Sequence, residues 1–216
     1  MYLIKKIVFA SVLFILIAFN IQALADSNVY YDISKLADYD STVDTTAERL
    51  SVSYLPKNGN KIVKSGSSLT VDRSVDNSID CFAEFVMPDR FANEKQFVID
   101  FVFNPQEINT TLRIFRANST ISGISYDFVS IKSGTTTPAR LTIMGSSEAI
   151  NLPSGDTRIS LCINLEQKTA NVYVGDLVME NISLNIIDNL CISSFWIGNN
   201  SVGGNTNFTV KDAGIY

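Results

Sequence analysis

No histidine occurs among the 216 residues. The chain therefore cannot activate a serine or cysteine through an imidazole, nor offer imidazole nitrogen to a metal. Cysteine is the next candidate for chemistry. Cys81, Cys162 and Cys191 are the three present, and none sits in the C-x-x-C spacing that builds zinc or redox sites. At most one intramolecular disulfide can form, with three possible pairings. Cys162 with Cys191 is preferred for an oxidising compartment, because both lie in the strand-rich C-terminal half; three buried thiols are the alternative. Among carboxylates, Asp38, Asp40 and Asp44 fall close together in a D-x-D-x-x-x-D spacing. Oxygen donors of this type suit Ca2+. The spacing lacks the glycine and distal glutamate of an EF-hand loop, and a solvated acidic loop is the alternative reading. A catalytic role is not expected from these residues.

The elements that must position any site are strands. In Phe97-Val98-Ile99-Asp100-Phe101-Val102-Phe103 every odd position is large and apolar, and Asn104-Pro105 then stops the strand. Leu112 and Ile114 alternate around Arg113, and Leu141 and Ile143 around Thr142, with Arg140 just before them. Ile159, Leu161, Ile163 and Leu165 repeat the pattern, as do Val172 and Val174, Phe195 and Ile197, and Phe208 and Val210. Turn residues separate these segments at Pro153-Ser154-Gly155-Asp156, Gly175-Asp176 and Gly203-Gly204-Asn205. Weak strands are expected at Val29–Ile33 and Leu50–Leu55, and a helical turn or two from Asp89 to Lys95. Period-two patterning on this scale predicts an all-β protein, an antiparallel two-sheet β-sandwich with one apolar interior.

Alternation also assigns outer faces. If Phe195 and Ile197 point inward, Trp196 points out, and the same parity puts Tyr173, Arg113 and Arg140 on outer faces and sets Asp100 opposite the apolar side of its strand. An exposed Trp or Tyr ring stacks on the apolar face of a sugar, while Arg and Asp bond its hydroxyls. Trp196, Tyr173, Arg113, Arg140 and Asp100 are thus the candidate ligand-binding residues. The alternative is that the two aromatics pack under a loop. Parity does not assign the facing of Tyr126 and Phe128.

The compartment follows from the first residues. Lys5 and Lys6 precede an apolar run from Ile7 to Ile21, and Ala23-Leu24-Ala25 supplies small residues for cleavage. That run is shorter than the roughly 20 apolar residues that span a bilayer. A signal peptide over 1–25 is expected, leaving one secreted domain over 26–216 with no membrane span. The chain carries 22 acidic and 17 basic residues, and cleavage would remove two of the lysines. An acidic excess without basic clusters excludes nucleic acid and anionic membrane as natural partners.

The C-terminal third carries a more specific pattern. A strand at Arg158–Glu166 is followed by Thr169-Ala170-Asn171-Val172-Tyr173-Val174-Gly175-Asp176, then Ile192–Gly198, then Phe208–Tyr216 ending in Ala213-Gly214-Ile215-Tyr216. From about Glu84 to Tyr216 this order resembles laminin-G-like domains of the concanavalin A-like jelly roll. The resemblance implies a jelly-roll sandwich that binds glycans or extracellular proteins, often with calcium at a loop edge. Some relatives on the jelly roll cleave polysaccharides. The glucanases among them present an E-x-D-x-x-E strand, and no glutamate here is followed two residues later by aspartate. Lys211-Asp212-Ala213-Gly214-Ile215-Tyr216 looks like the closing Lys-x-Gly-x-Tyr strand of the lyases, but their histidine is missing.

Overall fold

A computed structural model describes residues 30–41, 48–49, 52–76, 81–104, 111–119, 123–132, 139–144, 149–199 and 207–216. The expected leader lies outside them. Strands are numbered along the chain. One sheet runs β15 (Leu177–Ser183), β14 (Thr169–Val174), β13 (Thr157–Asn164), β8 (Gln96–Phe103), β17 (Asn207–Ile215), β6 (Ser68–Asp72), β5 (Lys61–Ser65) and β2 (Tyr39–Asp40), with β1 (Tyr31–Asp32) paired to β17. The other runs β12 (Ala149–Asn151), β11 (Arg140–Ile143), β10 (Ile124–Lys132), β9 (Thr111–Ser119), β16 (Ser194–Asn199), β7 (Cys81–Val86), β4 (Val52–Leu55) and β3 (Glu48–Arg49). Pairings within both sheets are antiparallel; for example, β8 pairs with β13 from Gln96↔Asn164 to Phe103↔Thr157. Among the described residues, helix is limited to two short 3-10 turns, at Ile33–Lys35 and at Asp89–Asn93. The second is the turn expected after Pro88. No helix among the described residues is long and apolar enough to cross a membrane.

Phenylalanines lock the two sheets face to face. Phe97 of β8 meets Phe195 of β16 edge-on at 5.7 Å and Phe128 of β10 at 6.0 Å, and Phe101 lies 5.0 Å from Phe115 of β9. These are the separations at which aromatic quadrupoles attract. Ile99, Phe101, Ile159, Leu161, Phe195, Phe208 and Val210 have no measurable exposure, so the alternation expected from sequence does place one face of each strand in a shared core. Each such side chain contributes on the order of 2 kcal/mol on burial.

The alternation breaks where the register does. Along β10 the pairing to β9 shifts between Asp127 and Ser130, and Phe128 and Val129 are both buried. Across from it, Ile114 and Phe115 are both buried too. A bulge of this kind inserts an extra residue and bends the strand. Arg113 and Arg116 consequently sit on the outer face together, flanking Asp127.

Candidate functional site

Trp196 occupies the middle of β16, opposite Glu84 of β7 and Arg116 of β9. Its neighbours Phe195 and Ile197 are buried, so the indole does point outward. It is not an open platform, however. Phe82, also on the outer face, stacks on it at 3.9 Å with the planes 12° apart, and the Arg116 guanidinium lies 5.7 Å from the ring centre. One face of the indole is thereby covered, and its Nε1 is buried without a hydrogen-bond partner. Gly198, two residues on, shows why this packing is so tight: at φ 149° it presses on β7, where a Cβ would stand 2.5 Å from the Cys81 carbonyl oxygen and the Phe82 Cα.

The other candidate residues divide between the two sheets. Arg113 donates from Nε to Asp127 at 2.9 Å, and Arg140 is exposed on β11; with Trp196 they belong to the eight-stranded sheet. Tyr173 and Asp100 belong to the nine-stranded one, whose outer face looks the opposite way. Trp196 and Tyr173 therefore do not share one sheet face, and the five residues divide between the two outer faces. Asp100 is 5 % exposed. The guanidinium of Arg158 grips it through Nε at 3.1 Å and through Nη2, and the Ser160 hydroxyl donates to it as well. The carboxylate is thus held within the protein by three hydrogen bonds. Tyr173 is half-buried between Ser160 and Val178, and burial raises its pKa, with Cys162 and Glu180 adding to the rise.

The acidic and thiol expectations also meet the structure. Asp38 accepts from Lys64 Nζ at 3.1 Å and from the Gly66 amide at 2.9 Å, which lowers its pKa, the lysine being the larger cause. Lys64 is itself 2 % exposed and so acts as the buried counter-ion. Asp40 pairs with Val63 in β2, and Asp44 lies outside the described residues. Among the described residues no three acidic or cysteine side chains gather as a metal site would require. Cys162 and Cys191 are free thiols, not a bridged pair. Cys162 projects from the outer face of β13, and Cys191 precedes β16 in the other sheet. Cys81 is fully buried, which pushes its pKa up to about 12.

The concavity that sequence patterning missed lies at one end of the nine-stranded sheet's outer face. It is a cleft of about 480 Å3, within the size range of small-ligand sites, roughly 300–1,000 Å3. Tyr30 and Tyr216 supply aromatic walls, Asn93, Glu94, Lys95 and Gln96 a polar rim, and Val98 and Cys162 part of the floor. Tyr216 is fixed by reciprocal backbone bonds with Val98, at 2.9 and 3.0 Å. Its ring folds back over Gly214, where a Cβ would come 2.4 Å from the phenol oxygen, so any larger residue there would have to displace the ring. Burial, with Asp32 and Asp100 nearby, raises the Tyr216 pKa. Tyr30 is anchored by its amide to Ile215 at 2.9 Å, by its hydroxyl to Glu94 at 2.8 Å and by the edge of Phe91 at 4.6 Å. Burial first, and the Glu94 contact second, push its pKa up to about 12. Both phenols thus stay neutral across the physiological range. The arrangement can stack and hydrogen-bond a polar, partly apolar ligand. Sequence held only faint signals of it, the closing Ile215-Tyr216 and the turn after Pro88.

No protein-family model matches the sequence, and no curated protein matches it at a significant level. Solved structures do. A sialidase aligns over 88 % of this chain at 12 % identity with a TM-score of 0.52, and Trypanosoma rangeli sialidase in complex with sialic acid aligns over 85 % at 13 % identity with a TM-score of 0.50. The chain spans only 19 % and 34 % of those two proteins. At such identity the likeness is one of fold: this chain is a two-sheet antiparallel β-sandwich similar to a portion of the sialidase structures.

Proposed function

We propose that this is an exported, non-catalytic glycan-binding domain of the concanavalin A-like jelly-roll type, and that the sugar sits in the cleft between Tyr30 and Tyr216. The observation that carries the reading is the cleft itself. It offers the Tyr216 ring, and the part of the Tyr30 ring left by Phe91 and by the Arg90 guanidinium 5.0 Å from its centre, for the apolar face of a sugar, with donors and acceptors from Asn93, Glu94 and Gln96 for its hydroxyls, in a concavity of ligand size. The sharing of a fold with part of sialidases, one solved with sialic acid, is compatible with a carbohydrate setting. The missing histidine, and the absence of a paired-carboxylate strand pattern, favour binding over cleavage. A glycan array probed with the wild-type protein and with Gln96→Ala tests it. Binding by the wild type that the substitution weakens at least tenfold is expected; binding unchanged by the substitution would overturn the location.

A second reading, a protein partner in place of a glycan, is supported by β15. This strand edges the nine-stranded sheet, and Leu177 and Val178 on it are 47 % and 43 % exposed. An exposed apolar edge invites another strand to pair. Sedimentation of wild type against Val178→Lys checks self-pairing; a concentration-dependent dimer lost in the variant would favour it.

A further inference from the structure

We infer that the ligand is an uncharged oligosaccharide chain of several units, which continues from the cleft past Lys95 into a second hollow at the end of the sheet. This rests on the glycan reading of the cleft. The second hollow measures about 350 Å3 and is lined by Leu165, Glu166, Lys168, Asp188, Asn189 and Leu190, with Lys95 in its wall. Lys95 also lines the first cleft. The two concavities thus share Lys95, a flexible residue whose aliphatic stem can swing aside while its ammonium stays solvated. The backbone beneath is firm: the Leu165 amide donates to the Lys95 carbonyl at 2.7 Å, joining the end of β13 to the entry of β8.

The walls of the second hollow are built with care. The turn from β13 to β14 is closed by the Gln167 amide donating to Asn164 Oδ1 at 2.9 Å, and it places Lys168 at φ 52°. Asn189, on the facing loop, stands at φ 54°. Lys168 donates to Asp188 at 2.6 Å, while the Leu184 amide donates to the Lys168 carbonyl at 2.8 Å. Two non-glycine residues in the left-handed region therefore border one small concavity.

Charge decides the ligand class. Lys168 and Asp188 neutralise one another, which leaves Glu94 and Glu166 against Lys95 along the two hollows. Arg90 is engaged over the Tyr30 ring, 5.0 Å from its centre, and among the described residues no arginine lines either hollow, so the bidentate guanidinium contact that favours carboxylates and sulfates is not offered. An acidic sugar would meet net repulsion. A neutral chain would meet tyrosine faces in the first hollow, and amide and carboxylate acceptors for its hydroxyls in both.

Titration calorimetry with cello-, manno- and xylo-oligosaccharides of one to six units, beside oligogalacturonates of the same lengths, tests this. At least one neutral series is expected to bind with an affinity that rises tenfold or more between one and four units and then levels. Glu166→Ala, at an exposed position the fold tolerates, is expected to remove that gain for the longer members and leave the shortest unaffected; Asn189→Gly, which keeps the backbone angle, serves as the second variant. Neutral binding that ignores chain length or both substitutions, or tighter binding of the oligogalacturonates, would overturn the inference and leave the cleft standing as a sugar site. Failure of every series to bind would overturn the glycan reading together with it.

Discussion

The outer faces of the two sheets both carry aromatic residues, yet they differ in what those residues are free to do. On the eight-stranded sheet the indole of Trp196 is laid against Phe82 and bordered by Arg116, so one of its faces is spent within the fold. On the nine-stranded sheet Tyr30 and Tyr216, with the segment Asn93–Val98, border a hollow. Facing outward and being available are separate properties. The first is local; the second depends on neighbours from distant parts of the chain.

The difference can be broken most sharply at Gly198. Alanine there cannot adopt φ 149° without strain and would collide with the β7 backbone, so Gly198→Ala is expected to cost about 3 kcal/mol or more in denaturant unfolding. Trp196→Ala comes next. It removes a half-buried ring that packs on Phe82, and a loss of about 2 kcal/mol is expected with glycan binding intact; lost binding with retained stability would restore the indole as the recognition surface. Arg158→Ala leaves the Asp100 carboxylate with Ser160 as its remaining partner among the contacts described. Because the Arg158 side chain is 61 % exposed, water compensates in part, and about 1 kcal/mol is expected by the same measurement.

A smaller effect comes from pH. The Tyr30 phenol has its pKa raised in the folded state to about 12, against about 10 unfolded. A raised value means that the folded state holds the proton more tightly, so its stabilising contribution is whole below pH 10 and fades as pH rises through 12. Cys81, also raised to about 12, acts in the same direction. Melting temperature is expected to fall between pH 10 and 12, and Tyr30→Phe to make that fall shallower. A variant with an unchanged slope would remove Tyr30 from the alkaline response.

Much of the sandwich was legible in the sequence, because a strand buried on one side must alternate. Phe97, Ile99, Phe101 and Phe103 announce their strand, and Trp196 its outward direction, without any knowledge of partners. Parity assigns a side of one strand's own sheet and is silent about which sheet that is. Trp196 and Tyr173 were therefore grouped, although β16 lies between β9 and β7 while β14 borders β13. The burial of Asp100 was equally hidden, since it depends on the register that sets Ser160 opposite it and brings Arg158 within reach. Tyr126 and Phe128 resisted assignment for a physical reason, the register shift that turns Phe128 and Val129 inward together. The cleft was least legible of all. Its walls come from Tyr30, the segment before β8, the middle of β13 and Tyr216, and no local pattern connects them.

The most direct test follows the backbone amide resonances of the labelled protein by nuclear magnetic resonance during titration with the glycan that the array selects. Saturable shifts are expected at Asn93–Val98, Cys162 and Tyr216, with Phe82, Glu84 and Trp196 unmoved. Shifts that gather on Phe82, Glu84 and Trp196 while the cleft stays silent would contradict the placement of the sugar on the nine-stranded sheet.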